Sequence, residues 1–132
     1  MRFLLDTDIC IYLIKNRPPE VLETFRQYRP SDIGLSSVTL FELQYGAEKS
    51  SQRLKALKAL EHFISSLSVA EFDADAAAQA AAIRAQLEAK GTPIGPYDVL
   101  IAGVAMSKRL VLVTNNLREF SRVEGLRVEN WA

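Results

Sequence analysis

The stretch "LVLVT" at 110–114 is apolar at every position before its threonine, the pattern of a strand covered on both faces. "RFLL" (2–5) reads as a shorter strand of the same kind, and "DIGLSS" (32–37), "LSVAEF" (67–72) and the weaker "LRVEN" (126–130) complete the set. Helical stretches fill the intervals. One spans about Asp8 to Lys15 with Asp8 available as its N-cap, and "RPPE" opens another that runs to about Arg29. A third, from about Val38 to Glu48, is apolar nearly all round. The next starts at "SSQ" and carries Leu54, Leu57, Leu60, Ile64 and Leu67 at helical spacing. Asp73 caps an alanine-rich helix that Gly91 ends, and "PIGPYD" leads into "VLIAGVAMSK", which is apolar enough to need cover on more than one side. Strands of this type alternating with helices predict an α/β chain with a mostly parallel sheet of four to five strands between two helical layers. In such a sheet, function collects outside the carboxyl ends of the strands.

Composition narrows the classes. A chain of 132 residues with 48% apolar and 24% charged residues is expected to form one domain over residues 1–132 without disulfides or a structural metal. No uncharged apolar run reaches the roughly 18 residues of a membrane span, and the first fifteen residues carry acids rather than a basic leader, so a cytoplasmic location is expected. The single cysteine, Cys10, lies in the apolar "ICIYLI" and reads as a buried, inert thiol. Sixteen basic and sixteen acidic residues cancel, so nucleic acid can be held only by local patches. Arg84 with Lys90, Lys108 with Arg109, and Arg118 with Arg122 are the candidates for phosphate contacts, each set against the plainer reading of a solvated helix face.

Acidic residues then fall in suggestive places. Asp6 directly follows the first strand, Glu42 lies in the first turns of the helix after the second, and Asn116 comes just after "LVLVT". Asp98, in the first turn of the helix before "LVLVT", joins them if that helix starts at the same edge. Each has a local explanation: an Asx turn for Asp6, a capping box of Thr39 with Glu42, and a helix-dipole partner for Asp98 behind Pro96. Those explanations leave the shared location unaccounted for. Carboxylates gathered at one edge stay ionised only if positive charge is supplied. The lone His62 sits on the expected solvent side of its helix, and neither a histidine cluster nor a cysteine set is present, which disfavours zinc and a histidine acid–base pair. A few oxygen ligands suit Mg2+ or Mn2+ and phosphate-ester chemistry.

At "LLDTD" with "CIYLIKN", "SSVTLFELQYGAEKS", "GTPIGPYDVLIAGVA" and "LVLVTNNLREFSRVEGLRVENW" the chain resembles the PIN-domain ribonucleases of the VapC type, the toxin halves of bacterial toxin–antitoxin pairs. The resemblance implies a Rossmann-like three-layer α/β/α sandwich, Mg2+ or Mn2+ dependence, endonucleolytic cleavage of RNA, a homodimer and inhibition by a VapB-type antitoxin. For relatives with an "IGPYD"-like segment it implies tRNA cut at the anticodon stem-loop. Carried over by position, the acids fall on Asp6, Glu42 and Asp98, which would hold the metal. The fourth place falls on Asn116, with Glu119 three residues later as its substitute or a surface charge. Asp8 reads as a cap rather than a ligand. Thr7, Ser37 and Thr114 either orient ligands from behind or merely end their strands. A groove between "ICIYLIKN" and the "FRQYR" to "TLFEL" helices would take an apolar antitoxin helix, and the "DVLIAGVAM" helix would serve either a homodimer or the core alone. Two other readings compete. One is an aspartyl phosphotransfer domain of haloacid-dehalogenase or receiver type, suggested by "LLDTD", although no aspartate follows Asp98 to complete the first and "VTNN" holds no lysine for the second. The other is a PIN fold that has lost turnover through Asn116 and only binds.

Overall fold

Five short strands, β1 (Phe3–Leu5), β2 (Ile33–Ser36), β3 (Ser68–Ala70), β4 (Val111–Val113) and β5 (Val128–Glu129), pair into one sheet in the computed structural model, which describes residues 1–132. Every pairing is parallel, and the order is β3-β2-β1-β4-β5. Leu5 is in register with both Leu35 and Val113, so β1 and β4 end level and β2 runs one residue further. The helices are α1 (Thr7–Lys15), α2 (Pro19–Arg26), α3 (Ser37–Glu48), α4 (Arg53–Ile64), α5 (Ala74–Ala89), α6 (Pro96–Lys108) and α7 (Leu117–Phe120).

Alternation along the buried strands splits the core in two. Leu4 and Leu112 point to the side packed by Ala76, Ile83 and Leu87 of α5 and by Ile101, Val104 and Ala105 of α6. Phe3, Leu5, Ile33, Leu35 and Val113 point to the other, where Ile9 and Leu13 of α1, Leu43 of α3 and Leu60 of α4 cover them. This is the expected three-layer sandwich, with a sheet that is parallel throughout. The order also removes the receiver alternative, whose sheet runs 2-1-3-4-5, and matches the first five strands of a dinucleotide-binding sheet.

Local details depart from the sequence reading. The N-cap of α1 is Asp6, whose side chain accepts from the Thr7 amide; Asp8 is exposed inside the first turn. The N-cap of α3 is Ser36, which accepts from the Thr39 amide, so Thr39 and Glu42 form no capping box. Helix α3 is not apolar all round in its burial either: Val38, Thr39, Leu43 and Ala47 face inward while Phe41 and Tyr45 face solvent. Leu54 is 71% exposed and takes no part in the α4 stripe. Strand β3 stops at Ala70, because the Phe72 amide turns to the Ser37 hydroxyl at 2.9 Å. Ser37 thus ties down a strand end. The expected cap at Asp73, Pro96 as the first residue of α6, and the left-handed Gly91 after α5 are all present. Helix α6 is buried at Val99, Ile101, Ala102, Gly103, Val104 and Ala105 within this one chain.

Candidate active site

The strand order reverses at β1, between β2 on one side and β4 on the other, and the carboxyl ends of β1 and β4 meet there. Asp6 is the first residue beyond β1. Its amide donates to the Val113 carbonyl at 2.8 Å, and its side chain is only 5% exposed. Thr114 Oγ1 donates to Asp6 Oδ2 at 2.8 Å and the Thr7 amide to Asp6 Oδ1 at 2.8 Å, so both oxygens are held in place. Burial pushes the Asp6 carboxyl up to about 6, helped by the charges of Asp8 and Glu42 and opposed by those two hydrogen bonds.

Glu42 reaches the same edge from the second turn of α3, where Thr7 Oγ1 donates to its Oε1 at 2.8 Å. Thr7 and Thr114 therefore orient carboxylates rather than merely ending their elements. Because α6 runs back toward β4, its N-terminus lies at the carboxyl edge of the sheet and brings Asp98 to the group. Asp98 is pushed up to about 7 by burial first, then by the charges of Asp6, Glu119 and Glu42 and a hydrogen bond with Glu119. Glu119 is a brace between α7 and α6: Oε1 accepts the Gly95 amide at 2.7 Å and Oε2 accepts the Asn116 amide group. The Asn116 backbone N–H is held by Thr114 Oγ1 at 2.9 Å.

All five residues singled out in the sequence thus share one edge. The four ion pairs of the chain, Arg53–Glu48, Arg84–Glu88, Lys90–Glu124 and Lys108–Asp73, leave Asp6, Glu42, Asp98 and Glu119 without a cation. No three of the acids are drawn together closely enough to hold a metal ion as they stand. Their donors, all oxygen and net negative, are of the kind that a hard divalent ion takes. Cys10, near Asp6 but fully buried, has its thiol pushed up and is inert.

Comparison with known proteins gives the family. The PIN domain model matches residues 3–126. The tRNA(fMet)-specific endonuclease VapC of Salmonella typhimurium is 51% identical over 131 residues, covering 99% of this chain and 98% of that protein. The chain belongs to the VapC family of PIN-domain proteins. Solved VapC-family structures superpose closely. DNA-bound VapBC from Salmonella typhimurium gives a TM-score of 0.95 at 50% identity, covering 100% of this chain and 99% of that one. VapBC2 from Rickettsia felis bound to a promoter DNA fragment gives 0.92 at 36% identity, covering 100% of both.

Two surface expectations change in this VapC-family chain. An apolar groove of about 400 Å³ does exist, lined by Ile11, Ile14, Leu43, Ala47, Ala56 and Leu60. It lies among α1, α3 and α4, and α2 has no share in it, because α2 packs its one fully buried residue, Val21, into the core. Among the basic candidates, Arg84, Lys90 and Lys108 are engaged by Glu88, Glu124 and Asp73, and Arg122 donates to the Pro93 carbonyl at 3.0 Å. Arg118, on the same short helix as Glu119, is exposed and has no side-chain acceptor. The sequence reading passed over Gly95, whose amide anchors Glu119, and the exposed rings of Phe41, Tyr45 and Tyr97 around Glu42. An aromatic next to a candidate acid in "LFELQY" and in "PYD" was the available signal.

Proposed function

We propose that this chain is the toxin of a VapBC-type toxin–antitoxin pair: a Mg2+- or Mn2+-dependent endoribonuclease that cuts tRNA in its anticodon stem-loop and is silenced by a VapB-type antitoxin. The observation that carries the reading is one buried and three half-buried carboxylates, mutually repelling and without a cation, at the β1–β4 crevice. Kinship along the whole chain to a tRNA(fMet)-specific endonuclease supports the substrate, and a tRNA substrate puts the site of action in the cytoplasm. The solved VapBC relatives support the antitoxin, whose apolar helix face suits the groove among α1, α3 and α4. A homodimer belongs to the same reading.

Asp6, Glu42 and Asp98 would hold the ion, with Glu119 and Asn116 alongside. When bound, it supplies Lewis acidity toward a phosphoryl oxygen and acidifies water. The chain's own groups do the positioning. Thr114 and the Thr7 amide fix the two oxygens of Asp6, and the Thr7 hydroxyl fixes Glu42, so these acids enter the reaction without a further search of rotamers. Glu119, clamped by Gly95 and Asn116, sets the distance between α7 and the start of α6, where Asp98 sits. Arg118, exposed on the same short helix and without a side-chain acceptor, would take a backbone phosphate.

Purified protein freed of antitoxin should cut initiator tRNA internally in Mg2+ or Mn2+ and stop on addition of EDTA. Asp6→Asn and Asp98→Asn should each slow cutting by about a hundredfold or more with unchanged circular dichroism. Wild-type rates in either variant would remove that acid from the site. Cutting that persists in EDTA would remove the metal and leave the nuclease.

A further inference from the structure

Three aromatic rings stand in solvent beside Glu42. Phe41 and Tyr45 on α3 and Tyr97 on α6 are 50%, 57% and 46% exposed, whereas every other aromatic side chain is buried or half-buried. They are arranged rather than scattered. The Phe41 and Tyr97 rings meet edge to face, with centroids 5.7 Å apart and planes at 65°, and the Tyr45 ring lies 6.5 Å from Phe41 at 20°. Lys49 Nζ stands 4.9 Å from the Tyr45 centroid. With Glu42 these four side chains line an open cleft of about 460 Å³, within the range of small-ligand sites, about 300–1,000 Å³. Packing does not require the rings there, since the inner face of α3 is already filled by Val38, Thr39, Leu43 and Ala47.

We infer that Phe41, Tyr45, Tyr97 and Lys49 form a stacking platform for an unpaired nucleobase of the RNA next to the bond that is cut. The inference rests on the ribonuclease reading and extends it to how substrate is gripped. Glu42 lines the cleft and Asp98 follows Tyr97 directly, so a base seated on the rings lies beside the reacting phosphate. The chain carries no net charge, so affinity must come from local contacts, and aromatic faces flanked by one cation match a base with its adjoining phosphate. RNA loops offer such unstacked bases. A second copy of the chain seated in the cleft would instead cover Glu42.

The test is steady-state cleavage of a short RNA stem-loop, with 2-aminopurine placed at each unpaired position in turn. Phe41→Ala and Tyr45→Ala should each raise KM roughly five- to a hundredfold with kcat within about threefold, and Tyr45→Phe, which keeps the ring, should restore KM. In Asp98→Asn protein, 2-aminopurine beside the cut should be quenched on binding, and adding Tyr45→Ala should abolish the quench. Unchanged KM in both alanine variants, or Tyr45→Phe as damaging as Tyr45→Ala, overturns the platform. A shift of Tyr45→Ala to a smaller species by light scattering overturns it too, by marking the face as a contact between copies. Should the wild type cut no RNA, the ribonuclease reading falls, and the quench alone then decides the platform.

Discussion

A carboxylate in the first turn of a helix is ordinarily kept ionised by the dipole, yet Asp98, in the first turn of α6, is pushed up to about 7. Burial and three neighbouring acids outweigh the dipole there. Between about pH 4 and about pH 7 the metal-free native chain therefore keeps a proton on Asp98 that the unfolded chain has released, and its stability falls as pH rises through that window. Asp98→Asn should stabilise the metal-free protein by about 1–2 kcal/mol at pH 8, a figure discounted for the group's partial exposure, and by nothing at pH 3. Urea unfolding at the two pH values checks this; a loss at pH 8 would give the carboxylate a structural role. The acids themselves were legible in the sequence, because a buried strand that runs into aspartate is rare without a purpose. Which residue caps α1 was not. "DTD" offers two caps, and Thr114, distant in sequence, holds Asp6 at the helix start and leaves Asp8 outside. Glu42 likewise had a local partner on paper in Thr39 and found a distant one in Thr7.

At the level of elements, α5 and α6 approach each other closely at Gly103. A Cβ on Gly103 would stand 2.7 Å from both the Ala76 carbonyl oxygen and the Ala80 Cβ, and backbone cannot yield as a side chain would. Gly103→Ala should therefore lower stability by about 1–3 kcal/mol, against the gain of about 1 kcal/mol that alanine brings to a helix interior. Chemical denaturation of the variant measures the balance; a more stable variant would show the helices free to part. The alanine-rich composition of α5 predicted a helix and said nothing of this approach. Continuous apolar runs made the strands legible, though β3 is shorter than its run because Phe72 leaves the sheet for Ser37. Helix α3 misled for a related reason. Its apolar residues outnumber its inner face, and only packing reveals that Phe41 and Tyr45 look outward.

Across the molecule, the β3-β2-β1-β4-β5 order sets Asp6 and Thr114 side by side, and the parallel pairing puts every carboxyl end at one edge of the sheet. No helix is long and apolar enough to cross a membrane. A ligand that binds only the folded form stabilises it by about 2.7 kcal/mol at a hundred times its Kd. Mn2+ should raise the melting temperature at pH 8 and do so far less below about pH 6, where both Asp6 and Asp98 hold protons. Calorimetry with and without Mn2+ at both pH values decides it, and an unmoved transition at pH 8 would take the cation out of the site. The hydrogen bond from Thr114 to Asp6 spans 108 positions of sequence. A ribosome that has released the chain only as far as Arg109 has delivered Asp6, Glu42 and Asp98 but neither β4 nor Glu119. Asp6 thus gains its threonine partner, and the crevice its second wall, only after the final stretch of the chain has emerged.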